Sequence, residues 1–149
     1  MRKLYIDCCG GLSGDMLVAA LIDLGVKTNK ITEAFDTFTV RSGKELSYKI
    51  SYEDYDGVKA CEFNVICDES EKTLEAATGN AHTRSLEEVH EMLDMFDMSG
   101  YAKTIARRIY NIIAGSEATV YSMNPGDIKL FEDGSLQTIA CIAAFAICF

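Results

Sequence analysis

The sequence predicts an α+β domain: a βαα unit, an antiparallel β-hairpin, then a helical half. Three observations carry that expectation. A short apolar run enters a Gly-rich turn at residues 3–13 and leaves it with apolar residues at helical spacing. Two stretches of period-2 alternation flank Asp56-Gly57. From residue 85 onward, apolar residues recur at helical spacing behind Ser residues placed to start helices. At 149 residues the chain can bury one real core. It is read as a single domain over 1–149, with an α/β portion at 1–67 and a helical portion at 85–149.

Residues 3–7 are expected as a short strand. A helix is expected over 14–24, with Met16, Leu17, Ala20, Leu21 and Leu24 as its apolar stripe. Ser13 is placed to cap it, Asp15 sits in the first turn where the helix dipole favours an anion, and Gly25 stops it. Thr28 precedes a second helix carrying Ile31, Ala34, Phe35 and Phe38. In the hairpin, Leu46, Tyr48, Ile50 and Tyr52 share one face of the first strand. Cys61, Phe63, Val65 and Cys67 share one face of the second. Residues 68–84 are polar and poor in β-branched and aromatic side chains, which reads as a mobile loop. Ser85 then caps a helix with Leu86, Val89, Leu93 and Phe96. Ser99 or Gly100 opens a longer one with Ile105, Ile109, Ile112 and Ile113. Asn124-Pro125-Gly126 is a turn, and an apolar helix begins near Leu136.

The formal net charge of −9 argues against nucleic acid as a partner, because phosphate neutralisation needs a basic surface. Hydrophobic residues make up 48% of the chain, too many for a disordered polymer. The N-terminal residues hold no apolar stretch of signal-peptide length, so a cytoplasmic location is expected. The run 138–149 is too short for a bilayer, which takes about 20 residues, so no membrane partner is expected. The six cysteines form no C-x-x-C pair, so no zinc knuckle or redox pair is legible and free thiols are expected. The segment 136–149 is apolar on nearly every side. One stripe against its own domain is not expected to cover it, so self-association or a partner chain is anticipated.

Residues 4–25 carry the most specific pattern. Asp7 is followed by a small-residue turn with Gly11, then Ser13-Gly14-Asp15-Met16, then a helix ending Asp23-Leu24-Gly25. This combination resembles the opening of the nickel-insertion proteins, the nickel chelatases that mature the pincer nucleotide cofactor. Gly57-Val58-Lys59, Arg84, Leu86 and the helical region up to residue 120 fit the same family more loosely. The resemblance implies nickel inserted into a thiocarboxylated pyridinium mononucleotide with consumption of CTP, to give the cofactor of lactate racemase and its relatives. It also implies a longer protein, whose nucleotide-using part would lie beyond this chain or on a C-terminal partner chain. Family members carry a His-rich loop before the position of Arg84, where this chain has only His82. They also carry a His-Phe-His-Glu-x-Gly segment with an Asp three residues past the Gly. Here the equivalent is Lys129-Leu130-Phe131-Glu132-Asp133-Gly134, with Gln137 in the Asp position.

Asp7 at a strand end and Asp15 at a helix start are two carboxylates joined by a flexible turn. Two carboxylates with turn carbonyls suit a hard cation such as magnesium or manganese, as would accompany CTP. Helix-start amides suit a phosphate. The candidate cofactor-binding residues are therefore Asp7, Gly11, Ser13, Gly14 and Asp15, and the candidate metal ligands are Asp7, Asp15, His82 and Glu132. The competing reading is purely structural: Asp15 serves the helix dipole while Asp7 and Ser13 satisfy turn amides. His82 and His90 alone do not fill a coordination shell. Three functions stay open on these grounds: the front part of a nickel-inserting enzyme, a binding or assembly module, and a divergent remnant. Because Lys129 and Phe131 stand where the resemblance implies imidazoles, the isolated chain is expected to bind nickel weakly. Calorimetry giving sub-micromolar nickel affinity that survives loss of both histidines would contradict this.

Overall fold

The computed structural model describes residues 4–9, 11–67 and 83–149. The expected loop over 68–84 lies mostly outside the described residues, as does His82. The mixed α+β class is as expected. Helix α1 spans Gly14–Asp23 and α2 spans Asn29–Ser42. Strands β1 (Leu46–Tyr55) and β2 (Val58–Cys67) follow, then a two-residue strand β3 (Arg84–Ser85), α3 (Leu86–Met95) and α4 (Gly100–Tyr121). A 3-10 turn at Pro125–Asp127 leads into the two-residue strand β4 (Lys129–Leu130), and α5 (Leu136–Cys148) closes the order.

The hairpin forms in the anticipated register. Ile50 faces Phe63 and Tyr48 faces Val65. Asp56 and Gly57 take φ values of 54° and 84°, both left-handed, as a tight turn that matches strand twist requires. Phe63 and Val65 are buried and Cys61 is half-buried. Ser85 makes the full capping box, its hydroxyl accepting the Glu88 N–H while the Glu88 carboxylate accepts the Ser85 N–H. Ser99 and Ser135 cap α4 and α5 through the Ala102 and Thr138 amides.

Five details differ from expectation. Residues 4–8 take no regular secondary structure and pair with no strand among the described residues, and Tyr5 is 87% exposed. A strand needs a partner edge, and both strands of the hairpin pair only with each other. Helix α1 buries Val18, Ala19 and Leu21, while Met16 and Leu24 of the expected stripe face out. Helix α4 buries a four-residue repeat of small side chains, Ala102, Ala106, Ala114 and Ala118, with Tyr110 filling its middle. Ile105, Ile109 and Ile113 only flank that stripe, and Ile112 is exposed. Strands β3 and β4, unforeseen in so short a run, pair antiparallel through Arg84 opposite Leu130.

The fifth difference concerns α5. It lies at the centre, touching α1, α2, α3, α4 and β2. Leu136, Ile139, Ala140, Ile142, Ala143 and Ala144 are buried, while Gln137 in the first turn and Phe149 at the end are exposed. Most of its apolar surface is therefore covered within one chain, with Phe145, Ile147 and Cys148 half-buried near its end. An aromatic chain runs beside it: Phe38 stacks on Phe96 at 4.5 Å, Phe96 meets Phe35 at 5.9 Å, and Phe35 meets Tyr48 edge-on at 5.6 Å. That chain ties α2 to the end of α3 and to the hairpin.

Two buried acids give the fold a pH signature. Burial pushes the Cys141 thiol up to about 12, helped by the Asp15 charge and by Cys67. Burial also drives the Tyr110 phenol up, with Asp133 adding to the shift. Both groups fold neutral, and their raised folded values mean the folded state holds protons that the unfolded chain releases above pH about 9. Stability from these groups is therefore complete below pH about 9 and falls as pH rises through about 12. The urea midpoint is expected to be flat near neutrality and to drop progressively on the alkaline side. A midpoint that rises there would contradict the burial assignment.

Candidate functional site

The Gly-rich turn is built by local hydrogen bonds. The Cys9 N–H donates to Asp7 Oδ1 at 3.0 Å, and the Gly11 N–H closes back on the Cys8 carbonyl at 3.1 Å. Gly11 sits at φ 94°, a left-handed conformation that other residues adopt only with strain. Hydrogen bonding from the Cys9 side chain, and then from its backbone, holds the Asp7 carboxyl below its ordinary value. Ser13 occupies the N-cap of α1 with an extended backbone, but its hydroxyl makes no capping bond. Only its carbonyl takes part, accepting the Leu17 N–H at 3.1 Å. Gly14 has a packing reason: a Cβ there would stand 3.0 Å from the Cys141 Cβ, so α1 begins directly against α5.

The segment between β4 and α5 is held by its carbonyls. Thr138 Oγ1 and the Ser135 N–H both donate to the Glu132 carbonyl, each at 3.1 Å. The Tyr110 hydroxyl donates to the Asp133 carbonyl at 2.8 Å. The Arg84 guanidinium donates to the Gly134 carbonyl. Gly134 has no room for a side chain, since a Cβ would lie 2.5 Å from the Leu130 carbonyl oxygen. Arg84 and Gly134, both singled out by the family pattern, are thus one structural unit.

These two segments meet across a cleft of about 590 Å³. Ser13, Gly14 and Asp15 contribute one side, and Asp133, Gln137 and Thr138 the other. Ile109 and Ile113 of α4 and Ile142 and Phe145 of α5 form apolar walls. Cys141 also lines it, its thiol neutral at neutral pH because burial raises its pKa. The volume falls in the range of small-ligand sites. Two acidic residues, a glutamine and the start of a helix therefore line an otherwise largely apolar slot.

The expected site residues divide. Ser13, Gly14 and Asp15 line this cleft. Asp7 and Gly11 line a different one, on the other side of the α1 start, so Asp7 and Asp15 do not share a cleft. Glu132 is exposed and does not line the central cleft. Among the described residues no group of three His, Cys, Asp or Glu side chains is arranged to hold a metal. His90 lies on α3 in a separate pocket with Asp94 and Arg107, and its Nε2 has no partner. Burial, then the Arg107 charge, holds His90 below its ordinary value. Asp133 and Thr138 were missed in the sequence. The signal available was their position, one residue before Gly134 and one after Gln137.

A family model described as nickel insertion protein matches residues 4–149. The chain belongs to the nickel insertion protein family. Among its relatives is the pyridinium-3,5-bisthiocarboxylic acid mononucleotide nickel insertion protein of Geobacillus kaustophilus, 32% identical over 148 residues, which cover 99% of this chain and 35% of that protein. The protein of the same name from Acetivibrio thermocellus is 30% identical, again over 99% of this chain and 35% of its own length. That from Alkaliphilus metalliredigens is 27% identical and 36% covered. The chain thus spans about a third of the length of these family relatives. No solved structure matches it.

The tight fit at Gly134 sets an expectation for the family segment. Gly134→Ala should lower the unfolding free energy by about 1–3 kcal/mol, because a backbone carbonyl must move. Gly126→Ala, with nothing within 4 Å, should stay within about 0.5 kcal/mol. Urea denaturation of both variants checks the difference.

Proposed function

We propose that this chain is the N-terminal portion of a machinery that inserts nickel into a pyridinium-3,5-bisthiocarboxylic acid mononucleotide, and that the central cleft receives that nucleotide. One observation carries the reading. Ser13-Gly14-Asp15 and the segment around Gly134, far apart in sequence, line the same slot. The apolar walls suit a flat pyridinium ring, and the Asp15 and Asp133 carboxylates favour its positive charge. The free amides at the start of α1 suit a phosphate. Nickel is the cargo in this reading. The cleft offers it no soft or imidazole ligand set among the described residues, so the thiocarboxylates named for the relatives' substrate would hold it.

Consumption of CTP, with magnesium or manganese, belongs to the same proposal. Asp15 and Asp133 are hard oxygen donors of the kind that hold such an ion while it keeps most of its waters. Asp7, Glu132 and His82 remain candidates for ligands outside the cleft. Gly11, Ser13 and Gly14 act by shaping the turn. The setting is cytoplasmic, where the six cysteines stay as free thiols. Among the described residues no helix is long and apolar enough to cross a membrane. A second reading, a non-catalytic assembly module or divergent remnant, is favoured by Lys129 and Phe131 in the imidazole positions.

The test is nickel insertion by this chain supplemented with the remaining part of a relative such as that of Geobacillus kaustophilus. Asp15→Asn and Asp133→Asn should each lower kcat/KM roughly tenfold to a hundredfold, the loss of one charge-assisted contact, without lowering Tm. Unchanged activity in both variants would remove the cleft from the reaction. A fully inert reconstituted mixture would favour the assembly module.

A further inference from the structure

We infer that the outer face of α1, together with residues 4–7, is the docking surface for an extended segment of the polypeptide that makes up the remaining two thirds of the family's proteins. The inference rests on family membership and the exposed surface, and not on the chemistry of the cleft.

Helix α1 is apolar on two sides. Val18, Ala19 and Leu21 are buried in the core. On the other side Met16 is 56% and Leu24 71% exposed. Leu4 and Tyr5 of the N-terminal segment, with Leu12 of the turn, line the same groove of about 310 Å³ as Met16 and Leu24. All three are also exposed. Single exposed apolar residues need no explanation, but a contiguous set does.

The N-terminal segment adds a second observation. Residues 4–8 hold no regular secondary structure, are rich in strand-forming side chains, and pair with no strand among the described residues. An apolar segment that pairs with no strand, beside an exposed apolar helix side, can accept an added strand. The added strand would satisfy the backbone of 4–7, and its alternate side chains would cover Met16 and Leu24.

The occupant follows from length and charge. The relatives continue for about twice the length of this chain beyond the matched region, since the match covers 35–36% of each. A second copy is the poorer fit. It would bring another net charge of −9 to a groove that already holds Asp7, flanked on α1 by Asp15 and Asp23. The segment that docks should therefore be extended, apolar at every second position and bordered by Lys or Arg. Whether it is joined to this chain or separate does not alter the surface.

The experiment mixes this chain with the part of the Geobacillus kaustophilus protein that lies beyond the matched region. A complex is expected, with slowed amide exchange at residues 4–8. Met16→Lys and Leu24→Lys should each weaken it about tenfold or more and leave Tm unchanged, because both side chains already face out. Asp133→Asn, a change in the central cleft, should leave the complex intact, which separates this inference from the proposed function. Absence of a complex at tens of micromolar, or a complex indifferent to both lysine variants, would overturn it. So would a dimer of this chain alone that the same variants dissolve, which would assign the face to a second copy.

Discussion

The architecture depends on one close approach, that of α1 and α4 to the central helix α5. A helix that touches five other elements has no polar face to spare, and its neighbours must fit around it at short range. Small residues make that fit. Ala140, Ala143, Ala144 and Ala146 leave room on α5, the alanine stripe leaves room on α4, and Gly14 leaves room at the start of α1. The cleft is a by-product of the same geometry. It opens where the glycine start of α1 and the tightly held segment before α5 both end against that helix.

This division sorts the family motif into scaffold and chemistry. Asp7 closes the turn through the Cys9 amide, Gly11 supplies a left-handed residue, and Gly14 lets two helices touch. Each of those residues has a complete structural account. Gly134 and Arg84 have one as well, through the Leu130 carbonyl and the Gly134 carbonyl. Asp15 and Asp133 are different. Both residues line the central cleft, and the Asp133 backbone is held by the Tyr110 hydroxyl. A motif of this kind marks where chemistry can occur mostly by specifying the backbone around it.

What was legible in the sequence was local. The hairpin register, the Asp56-Gly57 turn and the Ser85 cap each depend on residues a few positions apart, and their patterns are unambiguous. What was not legible depended on partners far along the chain. The buried face of α1 was misassigned because both its faces are apolar, and only the position of β2 and α5 decides between them. The α4 stripe was missed because alanine carries little hydrophobic signal, although it permits the closest approach. A two-residue strand such as β4 leaves no period to detect. The cleft joins residues 13–15 to residues 133–138, and no spacing rule links them. Family resemblance singled out both segments without showing that they meet.

The two apolar helices show why composition alone misplaced the exposed surface. Helix α5 lacks a clean polar face, so in the sequence it seemed to need more cover than one stripe provides, while α1 read as having a single apolar stripe. Burial needs volume to be filled as well as area to be removed from water. Half of α5 is alanine or comparably small, so surrounding elements can close on every side of it. Met16 of α1 and Leu24 just past its end are large and exposed, and no described element covers them. With Leu4, Tyr5, Ile6 and Leu12 they form one group of exposed apolar residues beside α1. Apolar area left in water at roughly 25 cal/mol per Å² is a standing drive toward association. The side of α1 that carries Met16 faces that drive without cover from any described element.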